Sequence, residues 1–214
     1  MVERKTLESR AADELRGDLV DGRIAPGTRL TEIDVASRLD VSRGTVRLAL
    51  QTLASEGLVE LTPYSGWCAR SFSADDAWEL AVLRGSLDGL AAELAASRAA
   101  AVGTESVREA MEQLASVRSV APGALTAADF GVHRSIVELS GHSRLLGLFE
   151  QFEAQTLMLI SYANNGGLDV DDIVAQHKPI VEAICAGDGV RARLLAEAHG
   201  RESGDLITAS LTTK

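Results

Sequence analysis

Residues 41–70, "VSRGTVRLALQTLASEGLVELTPYSGWCAR", decide the fold of the N-terminal part of the chain. Ser42 is a good helix cap, and an apolar stripe at helical spacing follows it as far as Gly57. Two short strand candidates come next, "LVEL" (58–61) and "WCAR" (67–70), joined by "TPYSG". The apolar stripe consists of Val46, Leu50 and Leu53. The stretch therefore predicts a helix followed by a β-hairpin.

Two further helices precede this stretch. The segment "LESRAADELRGDLVDGRI" (7–24) carries leucine and alanine on one stripe, and "APGTRL" (25–30) ends it with a Pro-Gly turn. The segment "TEIDVASRLDV" (31–41) predicts a short helix, for which Thr31 is the expected N-cap. Three helices followed by a β-hairpin are typical of a winged helix-turn-helix.

The rest of the chain predicts an all-helical domain. A short polar joint, "SFSADD" (71–76), leads into an Ala/Leu-rich region with a 3.6-residue period and no convincing strand. Pro179 lies within one expected helix, which must either start late or kink there. The expected helices cover about 74–100, 105–120, 124–140, 143–163, 170–186 and 188–210. We thus expect a mainly α protein, with a winged helix-turn-helix domain over 1–72 and a helical-bundle sensor domain over 73–214.

The net charge of -10 is unevenly distributed between these domains. Residues 1–72 contain 10 Lys and Arg against 11 Asp and Glu, whereas the remainder contains 11 against 20. The acidity thus belongs to the C-terminal domain and does not exclude nucleic acid as a partner of the N-terminal one.

Composition also bears on the compartment. Cys68 and Cys185 lie far apart and in no metal-ligand spacing, which favours a reducing compartment. No apolar run approaches the roughly 20 residues that span a bilayer, and "MVERKTLESR" is too charged for a signal peptide. We therefore expect a cytoplasmic protein with no membrane partner.

The first turn of the helix after Ser42 predicts a DNA-reading surface. Arg43 and Arg47 are four residues apart and share a helix face, where either guanidinium could contact a guanine edge or a phosphate. Thr45 adds a short polar side chain, and Gly44 allows the backbone to come close to DNA. Taken alone, the arginines could be ordinary solvated residues; the hairpin in the expected position favours DNA binding.

Residues 7–70 resemble the DNA-binding domain of the GntR family of bacterial transcription regulators. The resemblance is carried by "GRIAPGTRL", "VSRGTVRLAL", "LASEGLV" and a glycine at the wing tip, in order and at family spacing. It implies that double-stranded operator DNA is contacted by Ser42, Arg43, Gly44, Thr45 and Arg47, with Gly66 at the tip of the wing. The family usually has Thr-Pro where this chain has Gly44-Thr45, so its base preference does not carry over directly.

Three of the four histidines form a second pattern of interest. Asp129 and His133 are i and i+4 on one partly apolar helix face, and His177 and His199 fall on separate expected helices. Three imidazoles and a carboxylate suit Zn²⁺, Ni²⁺ or another borderline divalent ion. Spacing alone leaves two alternatives open: capped or solvated histidines, and a buried Asp-His ion pair.

Residues 74–210 resemble the FCD ligand-binding domain of the FadR subfamily. The resembling segments are "LRGSLDGLAAELAA", "ADFGVHRSIVELSGH" and "QHKPIVEAICAGDGVRARLLAEAH". The resemblance implies a divalent metal, Zn²⁺ first with Ni²⁺ or Mn²⁺ as alternatives, held by Asp129, His133, His177 and His199. It also implies that Arg84 faces the carboxylate of a small effector. His142 stays outside this set as a helix-break residue, and the domain is more similar to the six-helix VanR type than to the seven-helix FadR type.

Together these features predict a homodimeric transcription regulator, a repressor in the family's commoner mode, whose operator affinity responds to a small carboxylate bound at the metal. One alternative is a regulator for which the metal ion is itself the signal, and another is an ion that only staples the fold. A metal-dependent hydrolase is disfavoured because the chain has no HExxH helix and no nucleophile elbow. We therefore expect no enzymatic activity.

Overall fold

A computed structural model describes residues 5–117, 123–164 and 169–212. The chain divides into two compact units, Met1–Phe72 and Ser73–Lys214. The elements of the first unit are α1 (Leu7–Val20), α2 (Glu32–Leu39), α3 (Arg43–Ser55), β1 (Val59–Thr62) and β2 (Gly66–Ala69). This is the winged helix-turn-helix order that the sequence predicts.

Side-chain caps determine where the helices of the first unit begin. Thr31 Oγ1 accepts a hydrogen bond from Asp34 N at 3.1 Å, and Ser42 Oγ accepts one from Thr45 N at 3.1 Å. Both predicted caps are therefore confirmed, and each satisfies a backbone donor that the helix itself leaves unpaired. The predicted stripe of α3 is fully buried and packs in the core of the unit: Val46, Leu50 and Leu53.

The wing is an antiparallel pair in which Val59 lies opposite Ala69 and Thr62 opposite Gly66. Both strands are displaced by one residue from their predicted bounds. Residues 27–30, predicted only as a turn, also run beside β2: Leu30 N donates to Trp67 O at 2.8 Å, and Ala69 N donates to Thr28 O at 2.8 Å. The turn segment thus hydrogen-bonds with β2, the strand that also pairs with β1.

All regular elements among the described residues of the second unit are helices, which confirms the predicted bundle. Its elements are α4 (Ala74–Val102), α5 (Glu105–Ser116), α6 (Ala124–Leu139), α7 (Ser143–Asn164), α8 (Val170–Cys185) and α9 (Gly189–Thr212). The helix α8 contains Pro179 in its interior, so the alternative of a late start is wrong. The predicted helix end at 118–120 and parts of two predicted breaks, 121–122 and 165–167, lie outside the described residues.

Helices α4 and α9 are in close backbone contact where two glycines meet. A Cβ on Gly200 would lie 2.5 Å from Gly85 Cα, and one on Gly85 would lie 3.1 Å from Gly200 Cα. Only glycine permits backbones to come this near. Because Gly85 follows Arg84 and Gly200 follows His199, the contact places two predicted site residues in the same layer of the bundle.

No helix in the described part of the chain is both long enough and apolar enough to cross a lipid bilayer.

Candidate functional site

The first candidate site is the N-terminal turn of α3. Arg43 and Arg47 present exposed side chains there, and Gly44 has an exposed backbone with only Ser42 Oγ, at 3.7 Å, near the position of a Cβ. Ser42 Oγ and Thr45 Oγ1 lie 2.9 Å apart. The structure therefore brings these five predicted DNA-contacting residues together on one exposed helix turn, in the arrangement that a recognition helix requires.

Sequence reasoning missed the carboxylate that restrains both arginines. Arg47 Nε and Nη2 donate to the two carboxylate oxygens of Glu32 at 2.8 and 2.9 Å, and Arg43 Nη2 lies 3.6 Å from Glu32 Oε2. The hydrogen bond from Arg47 lowers the pKa of Glu32, so this carboxylate stays ionised near neutral pH. The only hint of this contact in the sequence was the position of Glu32, directly after Thr31, the N-cap of α2, since α2 immediately precedes α3.

The wing tip is the other predicted DNA contact in this unit. Gly66 has φ of +79° with nothing within 4 Å of a Cβ position, and the neighbouring Tyr64 has φ of +65° and a fully exposed ring. A left-handed backbone at Gly66 permits the tight turn between the strands. The tip is therefore open for contact with a duplex, as an exposed loop positioned by a rigid hairpin.

The second candidate site is a group of buried histidines from α6, α8 and α9. His133, His177 and His199 are at most 7% exposed, and one ring nitrogen of each lies within 4.8 Å of the others. His177 Nε2 is 3.0 Å from His133 Nε2 and 3.2 Å from Asp129 Oδ1. The structure thus brings together all four residues predicted to hold a metal.

The hydrogen bond of His177 fixes which nitrogen faces this group. Its Nδ1 lies 2.8 Å from the carbonyl oxygen of Ile173, one turn earlier in α8, and can only donate there. Burial lowers the pKa of His177 to about 4, so the ring is neutral at physiological pH and its Nε2 carries a lone pair. Burial likewise lowers the pKa of His199 well below its usual value. Two of the three imidazoles are therefore in the protonation state that binds metals.

The arrangement fits a small divalent cation. The lone pair of His177 Nε2 faces the carboxylate oxygen Asp129 Oδ1, which is buried and has no hydrogen-bond partner among the described residues. Two acceptors in contact repel unless a proton or a metal lies between them. Ligand atoms at 2.0–2.1 Å from a tetrahedral ion lie about 3.3 Å apart, close to the 3.0 and 3.2 Å that separate His177 Nε2 from His133 Nε2 and Asp129 Oδ1. A set of three imidazole nitrogens and one carboxylate oxygen suits Zn²⁺ and related ions.

A second carboxylate beside the histidines was not predicted from the sequence. Asp88 on α4 is 5% exposed, and its Oδ2 lies 3.0 Å from His133 Nδ1 and 3.4 Å from Arg84 Nε. Although burial opposes ionisation, the charges of His133 and Arg84 lower the pKa of Asp88. The signal in the sequence was an Arg-Asp pair at i and i+4 in a helix otherwise rich in Ala, Gly and Leu, since such a helix buries much of its surface.

Arg84, the residue predicted to bind an effector, is 6% exposed and lines a separate small cavity between α4, α7 and α9. Its Nε has no hydrogen-bond partner among the residues that the structure describes. The cavity has room for about one water (≈ 10 Å³) and is also lined by Leu80, Ala81, Thr156, Leu159, Ile160, Ser203 and Ile207. A cavity of the same size lies among Asp88 and the three histidines. Arg84 thus approaches the histidine group through Asp88, not through a shared cavity.

His142, which the sequence leaves outside the metal set, lies on the surface. Its Nδ1 accepts a hydrogen bond from Leu145 N at 3.1 Å at the start of α7. The residue caps a helix, as expected for a histidine in the helix break.

A winged helix-turn-helix followed in the chain by a helical bundle is typical of a DNA-binding transcription regulator. Residues 7–68 match the model of the family described as "Bacterial regulatory proteins, gntR family", and residues 79–202 match that of the FCD domain. The chain belongs to the GntR family and carries an FCD domain, which confirms both resemblances drawn from the sequence.

Similar proteins support the same class. The chain is 30% identical over 189 residues to a probable D-xylose utilization operon transcriptional repressor of Paenarthrobacter nicotinovorans, covering 86% of this chain and 81% of that one. It is 25% identical over 210 residues to the HTH-type transcriptional regulator LutR of Bacillus subtilis, covering 88% and 95%. A crystal structure of a putative transcriptional regulator GntR from Rhodococcus sp. RHA1 superposes with a TM-score of 0.81 at 25% identity, covering 94% and 97%. These relatives are regulators and not enzymes, as expected for this chain.

Proposed function

We propose that this GntR-family regulator is a homodimeric repressor whose operator affinity is controlled by a small carboxylate that binds beside a divalent metal. The carrying observation is that three buried imidazoles bring ring nitrogens within 4.8 Å of one another, with Asp129 Oδ1, which has no hydrogen-bond partner among the described residues, 3.2 Å from His177 Nε2. Asp129, His133, His177 and His199 would hold the ion, with Zn²⁺ first and Ni²⁺ or Mn²⁺ as alternatives. A bound metal would supply a Lewis acid that takes up a carboxylate oxygen of the effector.

DNA binding is assigned to the exposed turn of α3 together with the wing. Ser42, Arg43, Gly44, Thr45 and Arg47 would read or position the operator, and Gly66 would let the wing tip approach it. Two such surfaces related by a two-fold axis match two half-sites, which is the reason for proposing a homodimer. This role places the protein in the cytoplasm, where the operator is.

Arg84 supports a carboxylate as the effector, because a buried guanidinium whose Nε makes no hydrogen bond among the described residues, only a 3.4 Å contact with Asp88, is a strong partner for a planar anion. Its cavity is water-sized, so an effector of several carbon atoms can enter only if side chains or helices around α4, α7 and α9 move. Such a movement is what an effector must favour to change operator affinity, since a ligand shifts an equilibrium only by its preference for one arrangement. Coupling of about 1–3 kcal/mol would change that affinity 5- to 150-fold.

The test begins with DNA selected from a random library by the metal-loaded protein, followed by fluorescence anisotropy on the selected duplex. Arg47→Ala should weaken binding to this duplex by about 1–3 kcal/mol. Small hydroxy acids and dicarboxylates are then screened for release of the duplex from wild type and from Arg84→Gln. Release from wild type alone supports the proposal. Release by metal addition without any carboxylate would instead identify the ion as the signal, and the absence of any selected duplex would refute DNA binding.

A further inference from the structure

Asp88 is a buried carboxylate for which the proposed metal set has no role. Its Oδ2 contacts both His133 Nδ1, at 3.0 Å, and Arg84 Nε, at 3.4 Å. Neither of its oxygens has an aligned hydrogen bond within the described ranges 5–117, 123–164 and 169–212. A buried carboxylate is costly unless groups that can donate to it lie nearby, so the position of Asp88 between His133 and Arg84 requires an explanation.

The two edges of the His133 ring face different partners. Nε2 lies 3.0 Å from His177 Nε2, within the histidine group, while Nδ1 faces Asp88. The two nitrogens of an imidazole point in divergent directions, so a carboxylate at Nδ1 cannot share a small ion with Nε2. Asp88 is therefore behind His133, whereas Asp129 Oδ1, 3.2 Å from His177 Nε2, is on the side of the ligand atoms.

We propose that Asp88 is a positioning residue: from behind the ring it directs His133 Nε2 to the metal and connects the histidine group to Arg84. The proposal rests on the metal site of the proposed function. A carboxylate at the distal nitrogen of a ligating histidine fixes the tautomer and the ring orientation and makes the ligand more basic. The carbonyl of Ile173 does the same for His177 at 2.8 Å.

The link to Arg84 follows from the use of one oxygen for two contacts. An anion that draws the Arg84 guanidinium away leaves Asp88 Oδ2 in contact with His133 alone. Asp88 then favours the tautomer of His133 that carries its proton on Nδ1 and has a lone pair on Nε2 for the metal. Reciprocity then requires that metal occupancy favours binding of the anion. Asp88 thus gives a physical connection between two cavities that share no lining residue.

The experiment measures Zn²⁺ affinity against a competing chelator, on protein purified without nickel resin and stripped of metal. Asp88→Asn should bind Zn²⁺ about 10- to 100-fold more weakly than wild type. Glu79→Gln, which removes an exposed carboxylate from the same helix, is the matched control and should leave the affinity unchanged. Asp88→Glu, which keeps the charge but displaces it, should recover part of the loss.

The absorption spectrum of the Co²⁺-loaded protein gives a second readout that a merely structural role would not alter. Asp88→Asn should shift the visible bands because His133 is no longer held in one orientation; if that variant fails to fold, Asp88→Glu provides the same comparison. Unchanged affinity and bands in a folded Asp88 variant would overturn the proposal and leave the metal site intact. A wild type that takes up no metal would refute the metal site and this proposal together.

A double-mutant cycle tests the link to Arg84 without an effector. Arg84→Gln should raise Zn²⁺ affinity in wild type, because it leaves Asp88 Oδ2 to His133, and should have a smaller effect in the Asp88→Asn background. Equal effects of Arg84→Gln in both backgrounds would overturn the connection.

Discussion

Glu32 holds Arg47 through two parallel hydrogen bonds of 2.8 and 2.9 Å, so a carboxylate on α2 fixes the direction of an arginine on α3. The pair is exposed to solvent, where ion pairs contribute little to folding stability. Its main consequence is therefore orientation: in the proposed DNA contact Arg47 is restrained in advance, so that it loses less side-chain entropy on binding.

Replacing Glu32 by Gln should reduce discrimination between sequences. The variant loses one negative charge near the duplex, which favours binding to any phosphate backbone, and releases both Arg43 and Arg47 from a fixed direction. We expect the ratio of affinities for the selected operator and a scrambled duplex to fall about tenfold, in line with about 1–3 kcal/mol for one bidentate base contact. Anisotropy titrations on both duplexes at one salt concentration measure this ratio.

Glu60→Gln is the matched control for that measurement. Glu60 is exposed on β1 of the same unit, so its replacement by Gln removes an equal charge without freeing either arginine. It should strengthen binding to both duplexes alike and leave the ratio unchanged. If Glu32→Gln and Glu60→Gln give the same ratio, Glu32 acts only through its charge and the orientation argument is wrong.

The fold was largely predictable because its signals are local. Caps such as Thr31 and Ser42 and the 3.6-residue apolar period of the second unit specify helices without reference to distant residues. What could not be predicted depends on packing between distant segments. The pairing of residues 27–30 with β2 and the Gly85–Gly200 contact of α4 with α9 involve groups separated by about 40 and 115 positions, and no local pattern reports them.

The candidate sites divide in the same way. Only a few residue types are common metal ligands, and histidine is one of them. His133, His177 and His199 could therefore be proposed as metal ligands from residue type and family resemblance. Asp88 and Glu32 could not, because their roles depend on which side chain each meets across the fold. Carboxylates are also frequent in an acidic chain, and only burial or a bidentate contact distinguishes these two from the solvated ones.

The Gly85–Gly200 contact predicts that the bundle will not tolerate a methyl group at Gly200. A Cβ there would lie 2.5 Å from Gly85 Cα, and backbone cannot rotate away as a side chain can. We expect Gly200→Ala to lower the free energy of unfolding by about 1–3 kcal/mol, the usual cost of overpacking. Urea denaturation monitored by circular dichroism measures the change.

Gly131→Ala is the control for this substitution. Gly131 is also inside a helix, α6, but nothing lies within 4 Å of its Cβ position, so alanine should stabilise the protein by about 0.5–1 kcal/mol through helix propensity. The same change at both positions should therefore have opposite signs. A stabilised Gly200→Ala variant would show that α4 and α9 are not in the close contact described above.

Removal of one buried imidazole should abolish metal uptake, whereas removal of the exposed one should not. His177 contacts both His133 and Asp129 through Nε2, so His177→Ala removes the centre of the group. His142→Ala removes a histidine that only caps α7. Mass spectrometry of protein purified without chelator should find about one divalent ion per chain in wild type and His142→Ala, and none in His177→Ala. Metal retained by His177→Ala would place the ion elsewhere.

Metal binding should also raise the stability of the folded protein. A ligand that binds only the folded protein raises the free energy of unfolding by about 4 kcal/mol when its concentration is 1,000 times Kd. Thermal melting of metal-free wild type with and without added Zn²⁺ should therefore show a clear upward shift that His177→Ala lacks. A metal-free protein that is unfolded from the start would instead assign the ion a structural role.

The low pKa of His177 predicts how the metal-free protein responds to acid. Burial holds this pKa at about 4 in the folded chain, whereas an unfolded histidine titrates near 6.5. Between these values the unfolded chain binds more protons, so stability falls as the pH is lowered from 6.5 towards 4; His177 contributes up to about 1.4 kcal/mol per pH unit, and buried His199, whose pKa is also lowered, adds to the slope. Urea denaturation of chelator-treated protein between pH 7 and about pH 5 measures the slope. His177→Ala should make the slope less steep and exposed His142→Ala should not; equal slopes in wild type and His177→Ala would mean that His177 does not fold in its neutral form.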